Sequence, residues 1–228
     1  MLKVNEVFGP TIQGEGPSQG RYVMFLRLAL CNLSCQWCDT KYTWDWKNYD
    51  RTKEIHELDN DVLLRQLDDP CEAVVISGGE PLLQQRKLLN LVGGLKKKNY
   101  WVEIETNGTI VPERVLLDLV DQVNCSPKLS NSGDSRRRRI KSEALKVLSE
   151  SSKVYFKFVI GSLHDIDEVL EYVETFKIKP SHVYLMPLGK TREELQATSS
   201  MARLLAREYS FIYSSRLHVE LYGTKRGV

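Results

Sequence analysis

Three cysteines fall within one short stretch, Cys31-Asn32-Leu33-Ser34-Cys35-Gln36-Trp37-Cys38, in the spacing C-x3-C-x2-C. Three thiolates on one loop can hold three irons of a four-iron cluster. The fourth iron is then open to a ligand that is not protein. A closed set of four cysteines stores or passes electrons, whereas three leave a corner for chemistry. A zinc site would pair one C-x2-C with a second, or with two histidines. Here Cys71 and Cys125 stand alone, and none of His56, His164, His182 and His218 pairs with another at ligand spacing. A disulfide framework fits an odd count of five cysteines poorly. Crowded thiols suit a reduced, intracellular protein better. Spacing alone leaves chance clustering as a further alternative.

Such a loop needs elements to position it. The chain has 228 residues, 42% of them hydrophobic and 27% charged, with a net charge of +2. That is one domain, residues 1–228, with ample material for a core. The charge balance demands neither nucleic acid nor a membrane surface as partner. No apolar run reaches the length of a membrane span, and residues 1–6 lack the apolar core of a signal peptide. A cytoplasmic enzyme is expected.

Apolar runs alternate with helical patterns. Strands are predicted at residues 22–29, 73–76, 101–106, 122–125, 154–160, 182–186 and 217–221. Helices are predicted at 61–67, 81–98, 115–120, 142–149, 166–176 and 192–209. Regular alternation implies an α/β fold with parallel strands and crossover helices. The chain is short for a complete eightfold barrel, so an open, partial (β/α) barrel of about six units is expected. In such folds the working residues gather at the carboxyl ends of the strands. The cysteine loop, Ser77-Gly78-Gly79-Glu80, Glu105-Thr106-Asn107-Gly108, Ser126-Pro127-Lys128 and Met186-Pro187-Leu188-Gly189 all fall there. Residues 130–141 break the pattern with four consecutive arginines, Arg136 to Arg139. Their composition predicts a mobile, solvated basic loop. A phosphate- or RNA-binding run is the less favoured reading.

The cysteine spacing followed by a Gly-Gly-Glu motif resembles the radical S-adenosylmethionine superfamily. The resemblance implies that the open iron binds the amino and carboxylate groups of S-adenosylmethionine. Reductive cleavage then gives a radical that abstracts a substrate hydrogen. Trp37 could lay its ring near the adenine or simply pack the loop. Gly78 and Gly79 would let the main chain approach a ligand, or merely form a tight bend. Glu80 would pair with the cofactor's ammonium group.

The motifs Phe8-Gly9-Pro10-Thr11-Ile12-Gln13-Gly14-Glu15-Gly16, Phe25-Leu26-Arg27, Cys38-Asp39-Thr40, Ile76 to Leu83, Glu105 to Thr109 and Lys225-Arg226-Gly227-Val228 narrow this further. Together they resemble the 7-carboxy-7-deazaguanine synthase family, from Val7 to the last residue. The resemblance implies conversion of 6-carboxy-5,6,7,8-tetrahydropterin to 7-carboxy-7-deazaguanine with release of ammonia, on the way to queuosine, archaeosine or related deazapurines. It implies a [4Fe-4S] cluster on Cys31, Cys35 and Cys38, with S-adenosylmethionine held by Trp37, Cys38, Asp39, Gly79, Glu80, Ser126, Pro127, Lys128, Met186 and Pro187. It places the substrate against Ile12, Gln13, Gly14, Arg27, Ser77 and Val228, and a Mg2+ ion on Thr40. A guanidinium at Arg27 suits a pterin carboxylate, though a buried structural arginine is its other reading. Met186 stands where the family often has glutamine, and Ser77 where it often has threonine. The implied partners are a small pterin, a reducing protein such as flavodoxin or ferredoxin, and a second copy of the chain.

Two other functions share the cysteine loop. One is an activating enzyme that installs a glycyl radical on a protein, which would need a broad groove. The other is a non-enzymatic iron–sulfur or zinc scaffold, which would not cleave S-adenosylmethionine.

Overall fold

The computed structural model describes residues 1–69, 71 and 73–228. Among them, nine strands form one sheet: β1 (Leu2–Ile12), β2 (Tyr22–Leu28), β3 (His56–Leu58), β4 (Ala73–Gly78), β5 (Trp101–Thr106), β6 (Gln122–Cys125), β7 (Val154–Ile160), β8 (Val183–Pro187) and β9 (Ile212–Tyr213). Their order is β3-β1-β2-β4-β5-β6-β7-β8-β9, so the sheet stays open. Every pair from β2 to β9 is parallel, while β1 runs antiparallel to β2 and β3. The strands β2, β4, β5, β6, β7 and β8 are the six units of the expected partial barrel.

Side chains alternate across the strands with a period of two. One set joins the helices in a single apolar core: Leu26 and Leu28, Val74 and Ile76, Val102 and Ile104, Phe156 and Phe158. The helix Gln85–Lys97 contributes Leu88, Leu91, Val92 and Leu95 to it, the spacing of one helical face. Each is fully buried, so truncating one to alanine costs ~2–5 kcal/mol. The alternate residues face the other way. Val23, Phe25, Ala73 and Val75 form a small second cluster there. Towards the carboxyl ends this inner face turns polar, with Arg27, Ser77, Glu105 and Lys157 lining a cleft.

One expectation needs correcting. Residues 217–221, read as a last strand from their Leu-His-Val-Glu-Leu alternation, form the helix Leu217–Tyr222. The place beside β8 is taken by β9, and Leu217 N–H is drawn to Gly14 O instead. β1 was not expected, because Gly9-Pro10 interrupts it. The register with β2 slips between Phe8 and Thr11, which is how a sheet accommodates proline. In the stretch 130–141, Arg136, Arg137 and Arg138 are exposed to solvent. The stretch holds a 3-10 turn, Ser130–Ser132, and one helical turn, Arg136–Arg139, with Arg139 buried against Glu168. Acidic residues of the helix Asp165–Phe176 pair with two members of the basic run, Arg136 and Arg139.

Candidate active site

The cysteine loop leaves the carboxyl end of β2, and the turn after β4 fixes where it goes. Gly79 N–H donates to Leu28 O at 3.0 Å and Glu80 N–H to Leu30 O at 2.8 Å. A Cβ on Gly78 would lie 2.1 Å from Leu28 O, and one on Gly79 would lie 2.0 Å from Leu30 O. The glycines are therefore needed for main chain packed on main chain at the entrance to the cysteine loop, not only for approach to a ligand. Glu80 does not face the cleft. It is fully buried, and its carboxylate accepts from Leu82 N–H at 2.9 Å, Thr106 Oγ1 at 2.8 Å and Asn107 N–H at 2.6 Å. Burial raises its pKa despite these donors. It caps the turn Pro81–Gln84 and ties β4 to β5, so the expected ammonium contact is replaced by a structural one.

One cleft of about 450 Å3 receives the residues this frame presents. Cys31, Cys35, Cys38, Trp37, Asp39, Thr40, Gly79, Ser126, Lys128 and Met186 line it. So do Ile12, Gln13, Gly14, Arg27, Ser77 and Val228. Pro127 and Pro187 are buried and do not reach it. The three cysteines are free thiols. Among the described residues, no three of His, Cys, Asp or Glu converge as a single-ion site requires. Burial pushes Cys31 up to about 12 and Cys35 up to about 11, so loading must displace their protons. Two unforeseen donors reach the sulfurs: Trp44 Nε1 at 3.4 Å from Cys38, and Asn107 Nδ2 at 4.0 Å from Cys31. Such donors tune a cluster's potential. Trp37 lies beside Lys128, whose Nζ is 5.5 Å from the ring centroid and 2.8 Å from Ser126 Oγ.

Arg27 also lines the cleft, and its Nε donates to Glu6 Oε1 at 2.7 Å. Glu6 also accepts from Tyr42 and from Arg226 Nε, at 3.2 and 3.1 Å. Arg226 continues to Glu54 and Asn5 and stacks on Tyr42. The chain's last residues are thereby anchored, and Val228 lines the cleft. Arg27 and Ser77 are direct neighbours across β2 and β4, and Ser77 Oγ donates to Glu105 Oε2 at 2.7 Å. The backbone of Gln13 is occupied by Arg21 O and Gly20 N–H, and Gly14 O by Gln19 and Leu217. Backbone contacts from this leader must therefore come from Ile12 and from Gly14 N–H. Gln13's side chain instead donates to Glu103 at 2.8 Å and Glu105 at 3.3 Å.

A buried charged web lining the same cleft escaped the sequence reading. Glu15 pairs with Lys157 and with Arg216, and Arg216 also grips Asp39. Burial alone would raise the Glu15 carboxyl, but Lys157, Arg216 and His218 outweigh it and hold the group well below its ordinary 4.5. Glu103 below is pushed up to about 8, by burial first and then by Glu105. His218 is lowered, chiefly by burial. The partners are up to 201 residues apart, so no local pattern could have joined them. The one available signal was the Glu within Gln13-Gly14-Glu15-Gly16.

This arrangement agrees with comparisons to known proteins. Residues 28–202 match the family model of the radical SAM superfamily. The 7-carboxy-7-deazaguanine synthase of Pyrobaculum aerophilum is 34% identical over 99% of this chain and 97% of its own. That of Bacillus subtilis is 30% identical over 100% and 98%. The crystal structure of QueE from Escherichia coli superposes with a TM-score of 0.71 at 26% identity, covering 95% of this chain and 94% of that one. The chain belongs to the radical SAM superfamily and, within it, to the 7-carboxy-7-deazaguanine synthase family.

Proposed function

We propose that this chain is a ring-contracting carbon–nitrogen lyase, making 7-carboxy-7-deazaguanine from 6-carboxy-5,6,7,8-tetrahydropterin with loss of ammonia. The observation that carries the reading is one cleft lined both by the three thiols and by the Arg27 guanidinium. Its volume of about 450 Å3 is that of a small-molecule site, and the anchored tail at Val228 narrows it. A protein loop presenting a glycine would need a broader groove.

Cys31, Cys35 and Cys38 would hold the [4Fe-4S] cluster, and Trp37, Asp39, Gly79, Ser126, Lys128 and Met186 would surround S-adenosylmethionine. Bound together, these groups supply abstraction of a substrate hydrogen atom. The chain's own residues do the rest. Arg27 offers its terminal nitrogens to the substrate carboxylate. Ser77 Oγ, its hydrogen committed to Glu105, and the Glu105 carboxylate present acceptors side by side for the N–H groups of a heterocycle edge. Lys157 and Arg216, held by Glu15, place two fixed cations along the cleft, where they can orient polar groups of a bound molecule. Thr40 Oγ1 lies 3.7 Å from Cys38 Sγ and accepts from no protein oxygen or nitrogen among the described residues. That leaves it available as one oxygen ligand to Mg2+, with substrate and water supplying the remainder.

Family likeness supports a homodimer, a flavodoxin- or ferredoxin-like reductant and a cytoplasmic setting. No helix among the described residues is long and apolar enough to cross a membrane. The test is anaerobic. Reconstituted protein, reductant, S-adenosylmethionine and the carboxytetrahydropterin should yield 7-carboxy-7-deazaguanine by mass spectrometry. Cleavage of S-adenosylmethionine with no change in the pterin would sink the substrate assignment.

A further inference from the structure

The four-arginine run has no part in the chemistry above, and three of its four charges are already matched. Arg136 pairs with Glu171, Arg138 with Asp134 and Arg139 with Glu168. That leaves little free charge for a phosphate or RNA. The segment from Ser130 to Arg139 instead lies against the cysteine loop. Arg138 Nη2 donates to Asn32 O at 2.8 Å and Nη1 to Ser34 Oγ at 2.9 Å. Asp134, 7% exposed, accepts from Ser34 N–H at 3.0 Å and Ser34 Oγ at 3.1 Å. Ser132 O accepts from Gln36 N–H at 2.9 Å, and Asn131 Oδ1 from Trp37 Nε1 at 3.1 Å. Of the residues between the three cysteines, only Leu33 is not held this way.

The segment's other side is fixed to the helix Asp165–Phe176. Ser130 N–H donates to Glu168 at 2.7 Å, and Asn131 Nδ2 to Asp165 at 3.0 Å. Arg139 also holds Lys128 O, at 3.0 Å. Loops bearing metal ligands keep their geometry through such outer contacts. We propose that residues 130–139 are a brace that holds the cysteine loop in its cluster-binding shape, with Asp134 and Arg138 as positioning residues. The proposal rests on the cluster assignment but not on the choice of pterin substrate.

The test compares Arg138→Ala, Arg138→Lys and Arg137→Ala. Arg137 is exposed, and its side chain makes no hydrogen bond among the described residues. Each apo protein is melted, then reconstituted and challenged with an iron chelator while the cluster's visible absorption is followed. Arg138→Ala should lose iron about tenfold faster than the parent, the scale of losing charge-assisted hydrogen bonds. Its apo melting temperature should stay within a few degrees, because the side chain is half exposed. Arg138→Lys, which keeps the charge but not the fork, should fall between. Arg137→Ala should match the parent. Equal iron loss in Arg138→Ala and parent would overturn the brace, as would equal acceleration by Arg137→Ala. A drop in apo stability large enough to account for the iron loss would also overturn it. Failure of the parent itself to take up iron would overturn the cluster assignment too, so the two failures are distinct.

Discussion

Arg27 commits only its Nε to Glu6, at 2.7 Å, and among the described residues its two terminal nitrogens bond to no protein group. Glu6 thus aims the guanidinium into the cleft without consuming the paired donors a carboxylate needs. Lysine has no such division between an anchored and a free nitrogen. Arg27→Lys should therefore raise the KM for the carboxytetrahydropterin by about ten- to a hundredfold, the range for a lost charge-assisted hydrogen bond. Binding of S-adenosylmethionine should persist. Steady-state kinetics and calorimetry read the two effects separately, and unchanged kinetics would remove Arg27 from the substrate site.

Cys35 is the most buried of the three loop cysteines, and alanine in its place leaves two thiols. Anaerobic reconstitution of the parent should give about four irons per chain, as a cuboidal cluster requires. Cys35→Ala should give little cluster absorption and no cleavage of S-adenosylmethionine. Full activity in that variant would end the assignment.

How far these residues could be read in advance depends on how local their signals were. β7, Val-Tyr-Phe-Lys-Phe-Val-Ile, was legible as a nearly continuous apolar run. β5 and β6 were legible as short alternating stretches, Trp-Val-Glu-Ile-Glu-Thr and Gln-Val-Asn-Cys, whose polar members face the cleft side of the sheet. The cysteine loop and Ser77-Gly78-Gly79 were legible because their spacing is contiguous. Glu80 was misplaced because a motif gives the order of residues but not the turn that directs its side chain inward. The strand read at 217–221 failed because five alternating residues fit a strand equally well, and only the occupied edge at β8 decides. Arg216, Lys157 and Glu15 meet only through the topology of the sheet, so no window of sequence contains them together.

That web also makes a prediction about stability and pH. Glu15 sits between two buried cations, so Glu15→Gln leaves Lys157 and Arg216 short of a counter-charge. Breaking a buried pair on one side costs ~3–5 kcal/mol, and a comparable loss is expected at neutral pH. The folded value of Glu15 is depressed below 4.5. The stability it contributes is therefore fully present above 4.5 and is lost as pH falls below it. Denaturant titrations between neutral pH and pH 3 should show a smaller acid-induced loss in Glu15→Gln than in the parent. Parallel curves would mean that Glu15 is not ionised in the folded protein.

Thr40 supplies the last prediction, because its hydroxyl lines the cleft beside Cys38 with no protein oxygen or nitrogen partner among the described residues. The backbone carbonyl of Thr40 is engaged, accepting from Thr43 N–H at 2.9 Å and Thr43 Oγ1 at 2.7 Å, so the residue's position is fixed by its main chain. Its Oγ1 approaches only Cys38 Sγ, at 3.7 Å, a weak contact. Thr40→Val preserves the branched shape and the backbone bonds and removes only the oxygen. If that oxygen ligates Mg2+ shared with substrate, valine should weaken activation by magnesium and leave the iron–sulfur spectrum intact. Thr40→Ser keeps the oxygen and should be milder. A magnesium titration of parent, valine and serine forms decides between coordination and packing. Identical magnesium dependence in parent and Thr40→Val would make Thr40 a loop residue and place the metal on other groups.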